Sequence, residues 1–235
     1  MPPQRMRPLA AFRAMRALLR NPDETARVFD VISALGGRSG ERAFERFRRT
    51  ETGARVLAEQ RSLLAVLSDR ERLLALPPES LGHRYAEFMG RERISAAGLA
   101  EASLAAGNGD PTLPPERRLF GARLRDMHDL WHVVTGYGRD LLGEASLLAF
   151  SYAQTRNRGI GFIVATVFWR ARRAPEFRRM LRDAFRRGRG SAWLPGADWE
   201  ALLARPLEEV RAELRVGPPP RYTEHRSSGA PALAT

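Results

Sequence analysis

The stretch GIGFIVATVFW, residues 159–169, decides the fold class. It carries no charge and is rich in β-branched and aromatic residues, so of all segments it comes nearest to a buried strand. A lone strand would leave its backbone ladder unpaired, and no other segment reads as its partner. The stretch is therefore read as a buried helix, and the chain as all-α. On its N-terminal side ASLLAFSYAQT (145–155) is a second charge-free run; both are far shorter than the roughly 20 residues a spanning helix needs. On its C-terminal side an arginine-rich segment leads to a turn at Trp193-Leu194-Pro195-Gly196 and two short helices, about 198–204 and 207–215. From Gly217 the sequence GPPPRYTEHRSSGAPALAT is rich in Pro, Gly and Ser without periodicity, and is expected to be disordered. The expected architecture is a single multi-helix domain over 1–216 with a short disordered tail over 217–235.

The N-terminal half agrees with that class. Leu9, Phe12, Met15 and Leu19 are placed on one face of a first helix, with Arg13, Arg16 and Arg20 beside it. Asn21-Pro22-Asp23-Glu24 combines a cap, a first-turn proline and first-turn acids, and Val28, Val31, Ile32 and Leu35 follow as an apolar stripe ended by Gly36-Gly37. Helical spacing continues over about 41–49 and 54–67, with Val56, Leu63, Leu64 and Leu67 in register. Pro77-Pro78-Glu79-Ser80 breaks the pattern before Leu81, Tyr85, Phe88 and Met89, and Gly107–Pro111 is the clearest internal loop.

Composition narrows the chemistry. The chain has no cysteine, which excludes disulfides, thiolate metal ligands and a cysteine nucleophile. All 39 of its basic residues are arginine, so lysine Schiff-base chemistry and a P-loop lysine are excluded too; the bias fits a GC-rich bacterial genome. The net charge of +12 is uneven. One surplus lies in residues 1–50 and another in 165–190, while the remainder is close to neutral. Two basic patches suit an anionic membrane surface better than nucleic acid, because the arginines lack interleaved stacking aromatics and no nucleic-acid motif is present. The arginine-rich first twenty residues resemble a transit peptide, but coding bias and a basic amphipathic helix explain them more simply.

The candidate chemistry sits in RLRDMHDLWHVVTGYGRDLLGE, residues 123–144. Leu124, Met127, Trp131 and Val134 mark an apolar helix face, and at 100° per residue His128 and His132 lie 40° apart at its flank, with Asp129 beyond them. Two imidazoles at i and i+4 make a helical metal clamp. A break at Gly136-Tyr137-Gly138 starts a new helix and gives Glu144 an independent direction, as a fourth ligand requires. Metal-free readings stay open, since helical histidine pairs also cap carbonyls or sit at a core edge, or act as acid and base. His83 and His225 read as ordinary surface or loop residues.

HDLWH, eleven residues and Glu144 resemble the H-D-x-x-H-x₁₁-E signature of the Coq-four family, the fourth coenzyme Q biosynthesis protein. LPPESLGHRYAEFM (76–89), GYGRDLLGE (136–144) and WEALLARPLEEVRAELRV (199–216) resemble other segments of that family, so the likeness spans about 20–216. The resemblance implies an all-helical fold and a divalent metal on His128, Asp129, His132 and Glu144, zinc first, with iron or manganese open. It implies metal-dependent oxidative decarboxylation, replacing the C1 carboxyl of a prenylated hydroxybenzoate-type ring by hydroxyl. Arg139, from its position after the glycine break, reads either as a stabiliser of the developing charge or as a surface salt-bridge partner of Asp140 or a neighbouring helix. The resemblance also implies a prenylated quinone precursor, other ubiquinone biosynthesis enzymes and an anionic membrane as partners, a homodimer, no nucleic acid, and a peripheral place on the cytoplasmic face of a bacterial inner membrane. The alternative is a non-catalytic prenyl-lipid-binding scaffold for those enzymes. Residues 145–169 either line an isoprenoid groove or are plain core.

Overall fold

The computed structural model describes residues 6–21, 25–105 and 112–225. Among these residues the regular elements are all helical: α1 Pro8–Arg20, α2 Thr25–Leu35, α3 Ser39–Phe47, α4 Glu51–Ala58, α5 Leu63–Ser68, α6 Arg70–Leu74 and α7 Leu81–Arg91 in the first part. There follow α8 Ala96–Ala105, α9 Pro115–Asp126, α10 His128–Thr135, α11 Leu141–Thr155, α12 Arg158–Arg170, α13 Pro175–Gly190, α14 Trp199–Leu202 and α15 Leu207–Glu213. The cap residues 22–24 and the predicted loop at 107–111 lie outside the described residues.

The deciding stretch is helical, as expected. Asn157 caps α12, its side chain accepting from the Gly159 and Ile160 N–H groups. Its burial is lopsided, however. Ile160 and Ile163 are buried, while Trp169 is 65% exposed, so α12 is amphipathic rather than wholly buried. Central α11 packs against both α12 and α13, and α12 packs in turn on α2, which pairs with α1. The main core joins α5–α7, α10, α11, α13 and α14 through Leu63, Tyr85, Trp131, Phe150, Leu181 and Trp199. Ala14, Met15, Leu18, Val31 and Ile163 form a separate cluster among α1, α2 and α12.

Three expectations need correction. The inward face of α1 is Ala11, Ala14, Met15 and Leu18, whereas Leu9 and Phe12 point outward, 75% and 56% exposed. The small side chains allow α2 to approach, and the buried stripe rotates toward them. The predicted 54–67 helix is interrupted: Gln60 has φ +50, and α5 starts afresh with Ser62 accepting from the Ala65 N–H. Most consequential, residues 217–225 are not loose chain. They run extended, without helix or strand, across the link between α10 and α11, so an onset of disorder at 217 is wrong; the rest of the expected tail lies outside the described residues.

Candidate metal centre

Helices α9 and α10 form nearly one rod. Met127 between them stays helical, its N–H donating to the Arg123 carbonyl at 3.0 Å and its carbonyl accepting from the Trp131 N–H at 3.0 Å. His128, Asp129 and His132 therefore share one flank, as the spacing predicted. Asp129 and His132 are buried and His128 is half-buried. Potential ligand atoms of the three lie within 4.8 Å of one another, a group that could hold a metal ion.

Glu144 arrives from a different helix. Gly136 adopts the left-handed conformation, φ +75, and ends α10. After a short link Asp140 caps α11, its carboxylate accepting from the Leu142 and Gly143 N–H groups. That cap places Glu144 in the first turn, with Oε2 3.7 Å from His128 Nε2 and 3.5 Å from His132 Nε2. Arg139 pairs with the same carboxylate, Nε to Oε1 3.5 Å, rather than with Asp140. The structure thus brings Glu144 to the two histidines and Arg139 to Glu144, while the set with ligand atoms all within 4.8 Å of one another is His128, Asp129 and His132.

Three observations test whether these side chains suit a metal. The Tyr137 carbonyl lies 2.8 Å from His132 Nδ1 and can only accept, so Nδ1 carries a proton and Nε2 is the ring nitrogen turned toward His128 and Glu144, free to ligate when the ring is neutral. The Nε2 atoms of His128 and His132 stand 3.3 Å apart with their rings crossed at 88°. Two nitrogens bound to one tetrahedral zinc stand about 3.3–3.4 Å apart, given bonds of about 2.0–2.1 Å. The donor set of imidazoles and carboxylates fits zinc, iron or manganese, and thiolates are absent from the chain. Electrostatics couple the same groups. Burial opposes charge on His132, yet Glu144, helped by Asp129 and the Tyr137 carbonyl, lifts the imidazole above its ordinary value. Burial likewise opposes charge on Glu144, but His132 and His128 hold the carboxyl well below the usual carboxylate range. The pocket is therefore built to keep an anion beside two ring nitrogens.

A cavity of about 1570 Å³ opens from this cluster. Its wall includes His128, Asp129, Arg139 and Glu144, apolar Leu18, Ile32, Leu99, Leu148 and Ile163 from five helices, and further arginines such as Arg93 and Arg170. Residues 145–169 are divided: Leu147 and Phe150 are core, Leu148 lines the cavity, and Ile163 belongs both to the α1/α2/α12 cluster and to the cavity wall. A second cavity of about 730 Å³ is lined by His132 with Phe88, Tyr137, Pro220 and Tyr222. Asp140 and Tyr222 escaped the sequence reading. The Asp-Leu-Leu-Gly-Glu run after a glycine break was a cap signal for the first; nothing local marked the second.

His83, read as an ordinary residue, ties a turn: its Nδ1 lies 3.0 Å and 3.1 Å from the Leu74 and Leu76 carbonyls.

Fold and site define an all-helical protein with a His/Asp/His/Glu cluster against a large, mostly apolar cavity. The family described as coenzyme Q (ubiquinone) biosynthesis protein Coq4 matches residues 4–220, and the chain belongs to that family. Ubiquinone biosynthesis protein COQ4 homolog 1, mitochondrial, of Culex quinquefasciatus is 29% identical over 85% of this chain and 71% of its own length. Ubiquinone biosynthesis protein coq4, mitochondrial, of Talaromyces stipitatus is 30% identical over 84% of this chain and 69% of its own. A crystal structure from Nostoc punctiforme, 20% identical, superposes with a TM-score of 0.67 over 91% of this chain and all of that one, which shows a shared fold.

Proposed function

We propose that this protein acts in ubiquinone biosynthesis as a metal-dependent enzyme on a prenylated hydroxybenzoate-type ring, exchanging the C1 carboxyl for hydroxyl. The observation that carries the reading is that His128, Asp129 and Glu144 of the cluster line the large, mostly apolar cavity, with His132 3.5 Å from Glu144 behind them. Ligand pockets commonly measure about 300–1,000 Å³. A mostly apolar space of about 1570 Å³ with the cluster in its wall suits a molecule with a small aromatic head and a long hydrocarbon tail.

His128, Asp129, His132 and Glu144 would hold a divalent metal, zinc first, with iron or manganese as alternatives. Such an ion would supply Lewis-acid and templating chemistry to ring oxygens. The apolar helices bind the tail and exclude water from the head. The tail's burial aligns the ring with the cluster, which turns binding into orientation. Arg139, beside Glu144, faces the charge that develops as the carboxyl leaves as carbon dioxide. The hydroxyl oxygen comes from an external oxygen-donating oxidant. Substrate reaches the cavity from an anionic membrane surface, on the cytoplasmic face of a bacterial inner membrane, where other enzymes of the pathway and a second copy of the chain would meet it.

The test is metal analysis and turnover of a prenylated precursor by wild type, His128→Ala and Glu144→Ala. Both variants are expected to lose bound metal and ring conversion while circular dichroism keeps its helical form. Normal conversion by either variant overturns the enzymatic reading. The cavity by itself favours a second reading, a prenyl-lipid-binding scaffold. It is supported if wild type retains lipid through purification yet converts no precursor when supplied with metal and oxidant.

A further inference from the structure

The C-terminal segment that the sequence left as loose chain makes a dense set of bonds. Asp140, 1% exposed, caps α11. Its Oδ1 also accepts from the His225 N–H at 3.0 Å, and its Oδ2 accepts from the Tyr222 hydroxyl at 2.7 Å. The same hydroxyl accepts from the Gly138 N–H at 2.8 Å. The Leu141 N–H donates to the His225 carbonyl at 2.8 Å. Farther back, Arg187 donates to the Val216 and Pro218 carbonyls, at 3.3 Å and 3.0 Å, and to the Thr135 carbonyl at 3.1 Å, tying the segment to the end of α10.

The link is shaped to receive it. A Cβ at Gly143 would lie 2.1 Å from the Gly138 carbonyl oxygen and 2.6 Å from the Tyr222 hydroxyl. A Cβ at Gly136 would lie 2.3 Å from the Pro219 Cβ. Two glycines of GYGRDLLGE thus admit the segment, a steric requirement of their own beyond the turn.

We propose that residues 217–225 are a positioning strap for the metal centre, fastened by Tyr222. The inference rests on the metal reading of the cluster. Tyr137, whose carbonyl orients His132, stands between Gly136 and Gly138, both in contact with the strap. Glu144 stands in the first turn of the helix that Asp140 caps. The Tyr222 hydroxyl bridges these halves, bonding Gly138 on the side of His132 and Asp140 on the side of Glu144. Burial and the Asp140 carboxylate push the phenol's pKa up, so it stays protonated and donates. Without it the ligands would still be present, but on a link free to shift. Partners of this kind, outside the ligands themselves, are worth about 10–100-fold in metal affinity. Tyr222 touches neither metal nor substrate and is a positioning residue. The family match ends at residue 220, two positions short of it.

Cobalt(II), whose visible absorption reports its coordination, is the probe. Full-length wild type, Tyr222→Phe, His132→Ala and a chain ending at Arg221 are titrated with cobalt(II) alone, and melting is followed on the metal-free proteins. The expected result is binding roughly 10–100-fold weaker in Tyr222→Phe, with altered absorption bands and nearly unchanged metal-free melting. The shortened chain should repeat the loss. Wild-type affinity and bands in both strap variants, while His132→Ala binds nothing, overturn the strap alone. Wild-type binding in His132→Ala, or none in wild type, overturns the metal reading and the strap's role with it.

Discussion

Arg123 is a fully charged side chain with 1% of its surface exposed, and its environment explains how the fold tolerates it. The guanidinium holds Glu200 through two bonds, 2.6 Å and 2.7 Å, and donates to the Ala197 carbonyl at 3.3 Å, so it pins the turn before α14 to α9 one helical turn ahead of the metal cluster. Such a pair contributes less than its Coulomb energy, because both ions lose water; breaking one half leaves the other stranded. Arg123→Ala is expected to destabilise by about 3–5 kcal/mol in chemical denaturation, and Arg123→Met/Glu200→Leu by clearly less. A double variant as damaged as the single one would show that the arginine's stem, not the stranded charge, matters. Gly143 makes a second prediction at this scale. Its Cβ would collide with backbone and with the Tyr222 hydroxyl, so Gly143→Ala should cost about 1–3 kcal/mol by overpacking, read as a lowered melting temperature. A neutral effect there would mean that the link yields easily.

At the scale of elements, what the sequence disclosed follows from how local each signal is. His128, Asp129 and His132 were legible because a single rod fixes their directions by periodicity alone. Glu144 was legible as a residue but not as a position, since its approach depends on the left-handed Gly136 and the Asp140 cap. Tyr222 was illegible: its partners lie more than 80 residues away, in a segment whose Pro and Gly content reads as disorder. The α1 face failed for a related reason. Its apolar residues go round much of the helix, and the choice of inward side belongs to α2 and α12, not to α1. That choice is testable. Leu18, 8% exposed in the cluster with Val31 and Ile163, should cost about 2–5 kcal/mol when changed to alanine. Leu9→Ala, at an outward position, should stay within about 0.5 kcal/mol. Equal losses at the two sites would put the outward face of α1 in contact with something that orders it.

For the whole molecule, the outward side of α1 and the distribution of charge lead to one expectation. No described helix is long and apolar enough to cross a membrane. Yet α1 exposes Leu9 and Phe12 together with Arg13, Arg16 and Arg20, and α12 ends on exposed Trp169 with the Arg172 guanidinium 4.9 Å over its ring. Each arginine near an anionic bilayer is worth about 1 kcal/mol, screened over about 10 Å at 0.1 M salt and about 3 Å at 1 M. Apolar side chains entering the interface resist salt instead, because their transfer is not electrostatic. Binding to vesicles is therefore expected in two parts. Raising salt from 0.1 to 1 M should remove most binding to anionic vesicles measured by sedimentation, and the triple change of Arg13, Arg16 and Arg20 to glutamine should flatten that dependence. Leu9→Ser/Phe12→Ser should remove the residue that survives high salt while leaving the slope at low salt. Equal binding to neutral and anionic vesicles would defeat the electrostatic part, and an unchanged high-salt remainder in the serine variant the apolar part. The same α1 gives Leu18 to the cavity wall from its inward side. Were the vesicle binding of Leu9 and Phe12 found, α1 would stand between bilayer and cavity, and the serine variant should then also retain less prenylated lipid through purification.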